Sequence, residues 1–142
     1  MEKIPEFIGN HLFLVSLLIA IVILLFWNIF SGAISGIKQL TPLQATQMMN
    51  HENALILDVR LQDDFKKGHI LNAVNIPEPD LQPRQKELKK YQKQIVITCC
   101  SNGTVSTRVA RTLKNGDFEN IYCLSGGLLA WQNANLPLTR EG

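Results

Sequence analysis

From Leu12 to Phe30 the chain reads LFLVSLLIAIVILLFWNIF, with Ser16 and Asn28 its only polar residues and no charge. As an α-helix about 19 residues rise roughly 28 Å, close to the thickness of a bilayer's hydrocarbon core. Trp27 stands near one end, where an indole commonly meets the interface. A buried core helix seldom goes so long without a charge, so the stretch 12–30 is expected to span a membrane once. A cleaved signal peptide fits less well. The preceding MEKIPEFIGNH is not clearly basic, and the apolar run exceeds the usual h-region of about 7–15 residues. SGAISG offers only a weak cleavage site, so an uncleaved anchor is expected.

The anchor divides the chain into a flank (1–11), the span (12–30), a linker (31–39), one domain (40–138) and a short tail (139–142). Glu2 and Glu6 oppose Lys3, and Lys38 is the only basic residue close after the span. This asymmetry favours the domain on the cytoplasmic side, as at the inner membrane of a bacterium.

Three cysteines cannot all pair within one chain, and Cys99 and Cys100 are neighbours, where a disulfide would be strained. Reduced thiols suit a cytosolic setting. No CxxC and no Cys/His spacing of the zinc type occurs, so neither a metal nor a cofactor is expected. The net charge of +2 is too small to suggest a nucleic-acid partner. Lys89, Lys90 and Lys93 around Tyr91 read as a solvated helix face.

After the linker, strand and helix signals alternate. Thr41-Pro42 reads as an N-cap with proline at the first helical position, opening a helix through Met49. The apolar run 54–57, closed by Asp58, is a buried parallel strand. A helical turn follows at 63–67, stopped by Gly68, and a second strand at 73–76, closed by Pro77. The segment 77–80 is expected to open one helix through Tyr91, with Pro83 in its first turn. Further strands are expected at 95–99 and 121–124. Helices are expected at 107–115 and after Gly126-Gly127, the latter holding Trp131. Strands separated by helices imply a parallel sheet with helices on both faces.

In such a fold, sites form outside the carboxyl ends of the strands. The strand at 95–99 runs into CysSerAsnGlyThrValSer, 100–106, and a helix. Backbone N–H groups of a tight loop converge on its centre, and the helix adds its positive end. A thiol at the start of that loop would have a lowered pKa, and an anionic substrate would be held by the same amides. Either Cys99 or Cys100 stands at that point. Gly103 is where the loop needs a conformation that only glycine adopts easily.

Several stretches together resemble one family. They are LeuIleLeuAspValArg (55–60), AspAspPheLysLysGlyHisIle (63–70), AlaValAsnIlePro (73–77), the cysteine loop, GlyAspPhe (116–118), IleTyrCysLeuSerGlyGly (121–127), Trp131 and Leu136-Pro137. In order and spacing, residues 40–138 are similar to a single rhodanese domain, here behind a membrane anchor. The resemblance implies a five-stranded parallel α/β sheet and a cysteine that carries sulfane sulfur as a persulfide. The sulfur would come from a donor such as thiosulfate and pass to a thiol or another thiophilic acceptor. In that pattern glycine follows the nucleophile by three residues, which selects Cys100 by its offset to Gly103. Cys99 then reads as the last strand residue and Cys123 as a small buried strand residue.

The same pattern implies that Ser101, Asn102, Gly103, Thr104, Val105 and Ser106 bind the substrate. Many active members carry arginine where Val105 stands, so the loop is expected to act through backbone amides and the Ser101, Thr104 and Ser106 hydroxyls. Thiosulfate is then expected to be a poor donor. Related cysteine phosphatases need an arginine six residues after the nucleophile; Ser106 stands there, which argues against that chemistry. Asp58 and Arg60 are secondary candidates that either line the site's mouth or pair locally. His69 and Trp131 read as packing residues. A tethered module that binds a membrane protein without turnover stays open as the alternative.

Overall fold

The computed structural model describes residues 3, 9–34 and 36–140. The chain forms two compact units, residues 1–35 and 36–142. In the first, α1 (Leu12–Ile34) is a 23-residue helix. Its stretch Leu12–Phe30 has a mean hydropathy of 2.9 and no buried part, and among the described residues it is the one helix long and apolar enough to cross a membrane. Ser16 turns its hydroxyl onto Phe13 O at 2.8 Å, so the helix satisfies that polar group itself.

The second unit is a parallel α/β sheet of five strands: β1 (Lys38–Leu40), β2 (Leu55–Asp58), β3 (Val74–Asn75), β4 (Ile95–Cys99) and β5 (Asn120–Leu124). They lie in the order β1-β5-β4-β2-β3, and every pairing is parallel. The sequence signals marked four of these strands. The fifth, β1, is three residues long and carries two exposed polar side chains, so it shows no apolar run. Leu40 alone is buried there, and the register Leu40↔Leu124 closes the sheet edge.

Helices α2 (Pro42–His51), α3 (Gln62–Lys67), α4 (Gln85–Leu88), α5 (Thr104–Asn115) and α6 (Gly127–Asn133) complete the unit. Thr41 caps α2 as the dipeptide suggested. Its hydroxyl takes Gln44 N–H at 3.3 Å, and Gln44 Oε1 takes Thr41 N–H at 2.9 Å. The single helix expected from 77 to Tyr91 does not form. In its place stand a 3₁₀ turn at Glu78–Asp80, the one-turn α4 and a 3₁₀ turn at Lys89–Tyr91. Pro79 and Pro83 both lack an amide donor, and a continuous ladder through Pro83 would also meet its ring. The segment uses i→i−3 bonds instead, among them Asp80 N to Pro77 O at 2.9 Å and Glu87 N to Arg84 O at 3.0 Å.

Strand alternation sorts β4 into two cores. Val96 and Cys100 join Leu88, Val109, Ala110 and Leu113 on the α4 and α5 side. Ile97 and Cys99 join Ala45, Leu128 and Trp131 on the α2 and α6 side. Adjacent strand residues face opposite ways, so the two neighbouring cysteines end in different layers. Each fully buried Leu or Ile in these layers contributes about 1.5–3 kcal/mol. The layers hold the carboxyl end of β4 rigid.

Candidate active site

The helix after the cysteine loop starts at Thr104, three residues before the expected Thr107. The free loop is therefore only Ser101 to Gly103, and Thr104, Val105 and Ser106 are the first turn of α5. Serine and threonine suit a first turn, where the N–H groups have no intrahelical partner. Asn102 Oδ1 accepts the N–H of Thr104 at 3.1 Å. The sulfur of Cys100 accepts two more: Gly103 N–H at 3.0 Å and Ser106 N–H at 3.4 Å. Cys100 thus does for this helix what a serine or aspartate does at an ordinary N-cap.

The Ser106 hydroxyl lies 3.3 Å from the same sulfur. Burial, the largest single influence, pushes the Cys100 thiol up. The Ser106 hydroxyl and the backbone N–H groups of Ser106, Asn102 and Gly103 outweigh it and hold the thiol below its ordinary value. Cys99 is the opposite case: burial, then the Asp58 carboxylate, pushes its thiol well above the ordinary value. Cys99 is fully buried, whereas Cys100 keeps 3% of its surface exposed. Of the two, only Cys100 has surroundings that favour the thiolate form.

Gly103 adopts φ +94°, in the range glycine favours. Thr107 Oγ1 donates to Gly103 O at 2.8 Å and fixes the turn. A second loop clamps the first from the β5 side. Leu128 N–H reaches Cys100 O at 2.8 Å, and Leu129 N–H reaches Ser101 O at 3.1 Å. Gly127, at φ +60°, makes this approach possible, since a Cβ there would collide with Cys100 O. Gly127 belongs to a Gly-Gly pair directly after a buried strand, which is the local sequence signal for such a close backbone approach.

The other expected binding residues are placed less uniformly. Ser101 and Thr104 are exposed, and neither hydroxyl is among the groups that hydrogen-bond to the sulfur. Val105 packs partly buried against the α5-side core, so no cation stands at its position. Arg108 does not supply one. It pairs with Glu78 through two bonds, Nε to Oε1 at 2.6 Å and Nη2 to Oε2 at 2.8 Å.

Asp58 and Arg60 pair locally. Asp58 is fully buried and takes Arg60 Nη2 at 2.7 Å and Nε at 3.0 Å. Arg60 is further bonded to Gly68 O at 2.8 Å and Asp64 O at 3.3 Å. The guanidinium still borders a cleft of about 440 Å³ with Ser101, Asn102, Leu129 and Gln132. His69 is buried, with Nδ1 2.8 Å from Phe65 O and its ring stacked on Phe65 at 3.7 Å. Trp131 is buried and donates to Pro137 O at 3.0 Å, tying the segment after α6 back to that helix. Both act in packing.

A cysteine in an amide-lined loop at a strand end, in a parallel sheet of this order, fits one of the known families. Residues 41–134 match the family model described as the Rhodanese-like domain. The chain belongs to the rhodanese-like family. The rhodanese-like domain and its N-terminal segment together resemble the uncharacterized protein YibN of Escherichia coli K12, at 31% identity over 99% of both chains. The thiosulfate sulfurtransferase GlpE of Coxiella burnetii is 32% identical over 67% of this chain and 87% of its own. Among solved structures, a rhodanese-related protein from Thermoplasma volcanium superposes with a TM-score of 0.67 at 23% identity, covering 73% of this chain and 99% of that one. That last likeness is one of fold.

Proposed function

We propose that the protein is a membrane-anchored sulfurtransferase that moves sulfane sulfur through a persulfide on Cys100. The observation that carries this reading is the pair of N–H groups, Gly103 and Ser106, aimed at the Cys100 sulfur at the start of α5. The Cys100 thiolate attacks the outer sulfur of a donor. With thiosulfate, the new S–S bond forms as the old one breaks, and sulfite leaves with the electron pair. The same amides then hold the terminal persulfide sulfur, which is an anion. An acceptor thiolate attacks that sulfur, and Cys100 leaves as thiolate. No oxidant or reductant is consumed. The helix α1 would tether this chemistry to a membrane, with the domain on the cytoplasmic side.

The test uses the full chain in detergent. After incubation with thiosulfate or a low-molecular-weight persulfide, its mass should rise by one sulfur atom. Cys100→Ser should abolish the gain, and Cys99→Ser should leave it. Loss of the adduct in Cys99→Ser alone would overturn the assignment of the cysteine. Absence of loading from either donor would overturn the enzyme.

One observation favours a second reading, a tethered module that binds a membrane-protein partner without turnover. The arginine that would balance an anionic donor is missing at Val105, and Arg108 is bound to Glu78. Cross-linking from membranes that captures the same partner with and without Cys100, together with no sulfur loading, would support that reading.

A further inference from the structure

Cys123 is the third thiol, and the mechanism above gives it no part. It sits within β5, fully buried, in register with Thr98 of β4. Its sulfur lies 3.1 Å from Ser106 Oγ, and Ser106 Oγ lies 3.3 Å from the Cys100 sulfur. One hydroxyl is flanked by two sulfurs. Thr98 fixes this arrangement by donating its own hydroxyl to Ser106 O at 3.0 Å, which holds the first turn of α5 over the sheet.

The proton count decides the direction of the bonds. A serine hydroxyl has one proton to donate and lone pairs to accept with. When Cys100 is a thiolate, its sulfur can only accept, so the Ser106 proton turns toward it. The Ser106 oxygen then faces Cys123, whose S–H needs an acceptor. Two others are in reach, Thr107 Oγ1 at 3.4 Å and Leu124 O at 3.8 Å, both farther than Ser106. Thr107 Oγ1 already receives the Gln39 amide at 3.3 Å and gives its own proton to Gly103 O at 2.8 Å, so it does not donate to Cys123. In the neutral thiol the chain can run in reverse, from Cys100 through Ser106 to Cys123. Charged groups stand apart from it: Asp58 and Arg60, at the end of β2, act on Cys99 in the other layer.

We propose that Cys123 is a positioning residue for Cys100: its S–H donates to Ser106 Oγ and so turns the Ser106 hydroxyl proton onto the Cys100 sulfur whenever that sulfur is an anion. The inference rests on the reading of Cys100 as the working sulfur. It extends that site by one residue, from the loop into the middle of β5.

The experiment follows alkylation of Cys100 by iodoacetamide against pH, in the full chain in detergent, with the modified residue located by tandem mass spectrometry. Cys123→Ala and Cys123→Val remove the donor with a smaller and a larger side chain, and Cys123→Ser keeps a donor. Both apolar variants should move the pH midpoint upward. At neutral pH they should react about fivefold more slowly, the factor that one hydrogen bond of about 1 kcal/mol supplies. Cys123→Ser should restore the original midpoint, which a purely structural role would not require. Ser106→Ala should shift the midpoint the same way, and adding Cys123→Ala to it should cause no further shift. An unchanged midpoint in whichever apolar variant folds, or additive shifts in the double variant, would overturn the proposal. No sulfur donor enters this assay. Failure of sulfur loading with a shifted midpoint would remove the transferase reading and leave the role of Cys123 standing.

Discussion

Gly127 lies against Cys100: a side chain at 127 would run into the Cys100 carbonyl oxygen and sit 2.8 Å from the amide nitrogens of Asn102 and Gly103. The turn after β5 thereby closes over the turn after β4, and Leu128 N–H seals the contact on Cys100 O at 2.8 Å. The loop that shapes the thiol's surroundings is held by the start of α6.

Gly127→Ala should therefore harm both fold and chemistry. It adds a Cβ where the backbone has φ +60° and where the cysteine loop fills the space. Left-handed strain and overpacking together should cost about 2 kcal/mol or more. A lowered thermal midpoint and reduced sulfur loading at Cys100, measured on the same preparation, check this.

The two adjacent cysteines should respond oppositely to pH. The Cys100 thiol is held below its ordinary value, so its thiolate adds stability that is present above the ordinary thiol range and is lost as pH falls through the native value. The Cys99 thiol is raised well above, so its neutral form adds stability that is present below the ordinary value of about 8.5 and is lost as pH rises toward the native value. Urea midpoints measured from neutral to alkaline pH should fall less steeply in Cys99→Ala than in the wild type. Cys100→Ala should lose the stability that the wild type gains on entering the thiolate range.

Val105→Arg should help thiosulfate in particular. It brings a cation to the first turn of α5, and a charge-assisted hydrogen bond of about 1.5 kcal/mol or more corresponds to roughly tenfold. Loading from thiosulfate should rise by about that factor, while loading from a low-molecular-weight persulfide, which gives up its outer sulfur with a thiolate as leaving group and carries no sulfonate charge, should change little. Thermal stability should drop, because Val105 packs against the core. Equal gains with both donors would mean that charge is not what the loop lacks.

Asp58→Asn should destabilise without touching the sulfur. It leaves the Arg60 guanidinium, whose side chain is 11% exposed, without its buried carboxylate. Breaking such a pair from one side costs about 3–5 kcal/mol. The thermal midpoint should fall markedly, while the pH profile of Cys100 alkylation stays near that of the wild type.

Much of this fold was legible in local pattern. The N-cap at Thr41, the apolar runs of β2, β4 and β5, and the charge-free stretch of α1 each depend on neighbours in the chain. The segment 77–91 misled because its helix-forming residues outnumber its prolines, yet Pro79 and Pro83 break the ladder. Strand β1 was invisible as a strand because its pairing with β5, rather than its own composition, makes it one.

The site divides the same way. The offset between Cys100 and Gly103 could be read from the chain, because loop length and glycine placement are local matters. That Cys99 and Cys100 occupy opposite layers follows from strand alternation. Tertiary structure alone decided that α5 begins at Thr104 and sends the Ser106 N–H to the sulfur. It also bound Arg108 to Glu78, pressed Gly127 onto the loop and stacked Cys123 beneath Ser106. The last three relations join residues far apart in sequence. They exist only because parallel strands bring their carboxyl ends to one edge of the sheet.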